Sequence, residues 1–364
     1  MTGRLCIAVV LAAVAGCGTS PSDVPSGIVT TQVSVGAERA CALDQDGDVW
    51  CWERTGPNTG VTASPMRSSV RFTSIGLGSD HACGLSDVGA VWCWGDNTFG
   101  QLGDGTTTGR ADPVQVQGLP TVVGITVGSL HSCAWSAGGE GYCWGDGRSG
   151  QLGTGSADDM LQAAPIAGDH SFSSLTAGRF TTCGLSEAAV LCWGAADENI
   201  VQTAGDSDVT LPTSTLDSIR AVAIALGQRH ACLLREDGRA VCWGANDTGQ
   251  LGDGTSEDRT APVVISDVFF DVIAAGPTAE HTCGIDDAGA VYCWGRNTES
   301  QSGQNRTEFV FEPRAVPTSA RLTSISASWA QSCGVDVLGG VGCWGAVMGG
   351  WAVVTPMVIS FETG

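Results

Sequence analysis

The chain has 364 residues, 43% of them hydrophobic and only 15% charged, with 52 glycines. Its 17 basic residues are all arginine, set against 38 Asp and Glu, for a net charge of −21. So acidic a surface repels phosphate backbones and anionic lipid, which excludes nucleic acid as an expected partner.

The N-terminus reads as a targeting segment. Arg4 precedes an apolar run from Leu5 to Ala15 that ends in Val14-Ala15-Gly16-Cys17. The run is too short to span a bilayer and has the layout of a secretory signal. It resembles a bacterial lipoprotein signal, which implies cleavage after residue 16 and lipidation of Cys17. Gly18 after the cysteine favours the outer membrane by the same resemblance. The expected address is therefore the bacterial cell envelope, reached through a lipid anchor at the outer membrane or cell surface. Cleavage removes Arg4 and leaves 16 Arg against 38 acids, a net of −22. Residues 17–27 include "GTSPSDVPSG", a Pro-, Ser- and Gly-rich stretch expected to act as a flexible tether. Residues 28–364 have globular composition and form the third unit of the chain.

From there a pair of cysteines recurs. Nine residues separate Cys41 from Cys51, Cys83 from Cys93, Cys133 from Cys143, Cys232 from Cys242, Cys283 from Cys293 and Cys333 from Cys343, and eight separate Cys183 from Cys192. Successive first cysteines lie 42, 50, 50, 49, 51 and 50 residues apart. Seven units of about 50 residues signal a solenoid or a propeller. Each unit has a short apolar segment ending in glycine, such as "FTSIGLG" (72–78). A cysteine, a polar turn and a β-rich segment ending in Cys-Trp follow. Strands flanking such a turn form an antiparallel hairpin.

Hairpin parity decides what the cysteines do. In unit two, pairing Cys83 with Cys93 leaves a three-residue loop containing Gly89. In unit four the loop is one residue shorter, at Glu187 and Ala188, yet Cys183 and Cys192 still fall opposite each other. Opposed strand residues have Cα atoms about 4.5–5.5 Å apart, within reach of a disulfide. A zinc site needs four ligands and each unit offers two cysteines. A catalytic redox pair would more typically be C-x-x-C, which is absent. Seven intrablade disulfides are expected, permitted by export and each contributing roughly 2–3 kcal/mol. Trp52, Trp94, Trp144, Trp193, Trp243, Trp294 and Trp344 follow the second cysteines. Strand alternation puts each Trp on the face opposite its cysteine, so both faces of every sheet must be covered.

The unit G-x-x-H-x-C-(A/G)-L-x-x-x-G-x-V-x-C-W-G-x-N-x-x-G-Q-L-G-x-G-T runs almost complete from Gly78 to Thr106 and from Gly227 to Thr255. It resembles the repeat of the regulator of chromosome condensation family, in a bacterial branch exported as a lipoprotein. The resemblance covers 28–364 and implies an all-β fold, a seven-bladed β-propeller with four-stranded blades, closed by pairing near the chain ends. Units one, four and seven lack the G-Q-L-G segment. The family's eponymous member is a guanine-nucleotide exchange factor, a role that rests on surface features including an inserted hairpin; these spacings leave no room for a large insertion, and nucleotide exchange stays an alternative that needs a cytoplasmic address. A secreted propeller resembling the family inhibits β-lactamases, so enzyme inhibition is an alternative.

The remaining motifs read as structure. His81, His131, His230 and His281 sit two residues before a first cysteine, but Arg39, Thr181 and Gln331 break the ring. "DQDGD" (44–48) occupies the hairpin turn and lacks the downstream Glu of a calcium loop. "DVGAVW" (87–92) is similar to the tail of a sialidase Asp-box. However, the two tyrosines, Tyr142 and Tyr292, lie where packing explains them. No cofactor, metal or catalytic residue is expected, although a glycan-active enzyme stays an alternative until the distribution of acids and arginines is known. The expected role is a monomeric protein-binding scaffold acting through rim loops at 53–65, 195–212, 296–313 and 346–356. Phe309 and Trp351 are the candidate aromatic contacts.

Overall fold

The computed structural model describes residues 28–53, 62–187, 189–196, 199–201, 207–217, 219–305, 307–348 and 351–361. Residues 1–27, which hold the expected signal, Cys17 and the whole of the expected tether, lie outside the described residues. Within them there are seven antiparallel sheets and no helix. Blade two is representative, with strands Phe72–Leu77, His81–Ser86, Val91–Gly95 and Arg110–Gln115 in sequential order.

The first strands face the axis. Thr30–Val35 neighbours Phe72–Leu77, that strand neighbours Gly124–Val127, and so on round to Leu322–Ala327, which returns to Thr30–Val35. The ring is closed at its outer edge as well. Ser360–Phe361 pairs in parallel with Thr62–Pro65, giving blade one five strands where the repeat calls for four. Ile359 and Phe361 enter the core between blades seven and one, and Phe361 meets the Trp50 ring edge-on at 5.7 Å.

All seven predicted disulfides are present, Cys41–Cys51 through Cys333–Cys343, with Cα separations of 4.0–4.1 Å. Each joins directly opposed residues of the second and third strands, including Cys183 and Cys192 with the shorter loop. Seven apolar clusters lie between blades, one at each seam. The Cys83–Cys93 pair of blade two packs with Trp144 of blade three, Cys133–Cys143 with Trp193, and Cys333–Cys343 with Trp52. Six of these tryptophans are at most 2% exposed and each brings about 150–250 Å² into the seam. The cysteine face of one sheet and the tryptophan face of the next thus make one layer of core.

In units two, three and five the G-Q-L-G segment folds into a knob that leads into the outer strand. Asn97 Nδ2 donates to the carbonyls of Thr106 and Thr108 at 3.0 and 3.2 Å, while its Oδ1 accepts from Leu102 N at 2.9 Å. Unit six, counted above among the individual loops at 296–313, keeps this path. Asn297 makes the matching bonds to Thr307 and Ser302, and Ser300 takes the left-handed φ of 60° that a glycine fills elsewhere. "DQDGD" is a turn. Asp44 Oδ1 accepts from the amides of Asp46 and Asp48, and its Oδ2 accepts from Trp50 Nε1 at 2.9 Å.

Candidate interaction site on the axial face

The turns between first and second strands gather around the axis because the first strands are innermost. In five units the turn opens with G-x-x and the next side chain fixes it. A Cβ on Gly78, Gly128 or Gly227 would collide with the imidazole of His81, His131 or His230, so only glycine lets the ring lie over the turn.

Those histidines are inter-blade latches. His81 Nε2 lies 2.9 Å from Ser132 Oγ of the next blade. His131 reaches Thr182 at 2.8 Å, while His230 reaches Thr282 and His281 reaches Ser332, both at 2.7 Å. Each hydroxyl spends its one proton on a knob carbonyl, as Thr182 does on Gln151 O at 2.8 Å. The histidine therefore donates through Nε2–H, and Nδ1 is left buried without a partner. Burial lowers the pKa of His81, His230 and His281 to about 3 and that of His131 to about 4. The Trp144 and Trp193 indoles donate to the same carbonyls, at 3.0 and 2.9 Å. Each of these four histidines ties its blade to the next. No cluster of three ligating side chains occurs among the described residues.

The tips of the seven turns are what varies. Ala37, Ser79, Asp80, Ser129, Leu130, Arg179, Phe180, Gln228, Pro277, Thr278 and Trp329 line a depression of about 370 Å³ to which every blade contributes. Ser129 Oγ donates to Pro277 O at 3.2 Å, tying blade three to blade six across the axis. One side of the depression is a continuous chain of contacts. Gln228, with its amide turned to satisfy both neighbours, accepts from Arg179 Nη1 at 2.7 Å and donates to Glu280 Oε1 at 3.0 Å. Glu280 pairs with Arg296 at 2.6 Å, and the Arg296 guanidinium lies 5.6 Å from the centre of the Trp329 ring. The Arg179 guanidinium lies 4.8 Å from the Phe180 ring. Trp329 is nonetheless 41% exposed. Such a pre-organised aromatic and cationic rim loses little freedom on contact.

The contacts named from the sequence fall elsewhere. Phe309 opens an outer strand, Phe309–Ala315, where it is half-buried against Phe311 at 6.3 Å. With Phe311, Arg314 and Gly254 it lines a rim groove of about 400 Å³. Trp351 opens the last outer strand, Trp351–Val358, and its side chain lies outside the described residues. The displaced carboxyl groups of the knobs are held low. Burial pushes Asp104, Asp146 and Asp253 up, but hydrogen bonds from Thr106, Arg148 and Thr255 with their neighbours outweigh it and hold all three below the usual range.

Fold and site together define a disulfide-stapled, seven-bladed propeller with a loop-built axial face. Regulator of chromosome condensation (RCC1) repeat models match residues 88–135, 237–285 and 288–335, and a second form of the same repeat matches 31–52, 72–101, 221–250 and 273–301. The chain belongs to the regulator of chromosome condensation repeat family. It is 29% identical over 147 residues to the ultraviolet-B receptor UVR8 of Arabidopsis thaliana, a match covering 38% of this chain and 33% of that protein. Among solved structures it is similar to human WBSCR16 (TM-score 0.75, 18% identity, 86% of this chain and 88% of the other). It is also similar to Prp20p of Saccharomyces cerevisiae (TM-score 0.72, 17% identity, 84% and 81%). At these identities the structural likeness speaks for the fold.

Proposed function

We propose that this chain is a non-enzymatic, monomeric protein-binding module, held in the bacterial cell envelope by a lipid on Cys17, that takes its partner in the axial depression. The observation that carries the binding reading is the exposed Trp329 on a rim fixed by Arg296, Glu280, Gln228 and Arg179. Loops on a rigid scaffold carry recognition, and here the scaffold is locked by seven disulfides. Protein binding is also what Prp20p is described as doing, with Gsp1p and histones. Histones are basic proteins, and a net charge of −21 suits a basic patch on a protein partner far better than it suits nucleic acid. The Cys17 reading rests on the Val-Ala-Gly-Cys motif and on the outward-facing chemistry of so many disulfides. Inhibition of a secreted enzyme is one form this binding could take.

The test is quantitative cross-linking of envelope proteins to the intact chain and to Trp329→Ala, Arg179→Ala and Phe309→Ala variants. The expected result is a partner lost on the first two substitutions and retained on the third. Loss confined to Phe309→Ala would move the site to the rim groove, and a captured glycan turned over by the chain would overturn the binding reading.

A further inference from the structure

The two faces of the propeller leave different side chains bare. The hairpins between second and third strands crown the face opposite the axial depression. Their tips carry Leu338, Val88 and Val337, which are 83%, 72% and 61% exposed. Val29 and Val123, at the entries of first strands on the same face, are exposed as well. Around the depression the corresponding exposed apolar side chain is Trp329. Val337, Leu338 and Val29 form a group, since Gly339 lies against Val29 and Thr30, and a grouped aliphatic patch marks a contact surface.

The chain also enters the fold on the hairpin face. Val29 O accepts from Gln45 N at 2.9 Å, and Thr30 N donates to Gly339 O at 3.1 Å. Residues 28–30 are thereby pinned between the hairpins of blades one and seven, beside Leu338. Cys17 lies 11 residues before Ile28. Such a stretch reaches at most about 36–40 Å when fully extended. A lipid on Cys17 would hold this face, and not the other, near the bilayer.

We infer that the hairpin face is a lipid-contacting surface. Leu338, Val337, Val88 and Val29 rest on the phospholipid bilayer that holds the anchor, and the axial depression points away from it. The inference rests on the reading of Cys17 as the lipid-bearing residue. The acyl groups on Cys17 supply the affinity, and the aliphatic tips beside the anchor set which face rests on the bilayer. The carboxylate nearest Leu338 does not oppose it. Asp336 Oδ1 is engaged by the amides of Leu338 and Gly340 at 2.8 and 2.9 Å. Asp87 beside Val88 and the other acids of the hairpins favour a zwitterionic surface over an anionic one.

The chain has no lysine, so an introduced lysine is its only side-chain amine. Arg321→Lys lies beside Val337, whose amide donates to Arg321 O at 3.0 Å. Arg229→Lys lies on the opposite face, where Arg229 pairs with the exposed Asp247. Each full-length lipidated variant is labelled with an amine-reactive dye in detergent, freed of excess dye, and reconstituted into phosphatidylcholine vesicles containing headgroup-nitroxide lipid. The dye at 321 should be quenched several-fold more than the dye at 229, and adding Leu338→Asp with Val88→Asp should remove most of that difference. Equal quenching at both sites, or a difference that survives the two aspartates, overturns the inference. Intact mass of the same sample separates the cases. A chain without acyl groups on Cys17 removes the anchor and the inference with it, whereas an acylated chain with equal quenching overturns the inference alone.

Discussion

A single histidine in this protein does three things at once. His131 lies over Gly128, bonds Thr182 of the next blade at 2.8 Å, and leaves Nδ1 bare in a dry seam. His131→Ala removes the bond and opens a cavity, and should cost about 2–4 kcal/mol in chemical denaturation. Combining it with Thr182→Ala should cost less than the sum of the two, because the pair acts as a unit. Protonation threatens the same seams. The folded pKa values of about 3 to 4 lie below the 6.5 of a free imidazole. Between these limits the unfolded chain binds protons that the native one refuses, so stability is full above about pH 6.5 and falls on acidification. Each histidine should subtract about 1.4 kcal/mol per pH unit across that window. Urea midpoints measured from pH 7 to 4 should fall accordingly, and less steeply in the His131→Ala/Thr182→Ala protein. An unchanged slope would mean the latches are not buried as described.

At the scale of the element, the hairpin was legible and the seam was not. The constant spacing of the cysteines places Cys83 against Cys93, and parity places Cys183 against Cys192 despite the shorter loop, because strand pairing is a local rule. The latch is a rule between units and needs two positions 51 or 52 residues apart to be read together. His81, His131, His230 and His281 meet Ser132, Thr182, Thr282 and Ser332. Where the histidine is replaced by Arg39, Thr181 or Gln331, the next blade has Ala82, Ala231 or Ala40 instead. That correspondence stands in the sequence, but its meaning needs the ring. The axial depression was missed for a related reason: its residues are the variable positions in the turn between the first and second strands of each unit, and only closure brings Ser129 to Pro277. Phe309 drew notice as an aromatic in an irregular loop, yet Asn297 and Ser300 carry that loop along the common path. A staple can be tested alone. Replacing Cys232 and Cys242 together by alanine should lower stability by about 2–3 kcal/mol, read from the denaturant midpoint, with the other six pairs still formed.

The whole molecule is a ring, and a ring has one closure. Ser360–Phe361 covers the outer edge of blade one, and Phe361 is 4% exposed against Trp50 and Ala63. Phe361→Ala should cost about 3 kcal/mol and sensitise the blade seven to blade one seam first, seen as faster amide exchange at Ala63 and Val335 than in blades three and four. Closure also explains why so acidic a chain with little regular hydrophobic run stays folded. Each seam pairs a disulfide face with a tryptophan face, and none is complete until its neighbour arrives. That architecture is stapled by oxidised cysteines, and in the proposed reading export supplies the oxidising compartment. The direct measurement is intact mass of the protein from the membrane fraction, alkylated under denaturing conditions with and without reductant. The account predicts acyl groups on Cys17 and 14 alkylation sites that appear only after reduction. An unprocessed N-terminus with thiols that alkylate freely would contradict both the stapled ring and its place in the envelope.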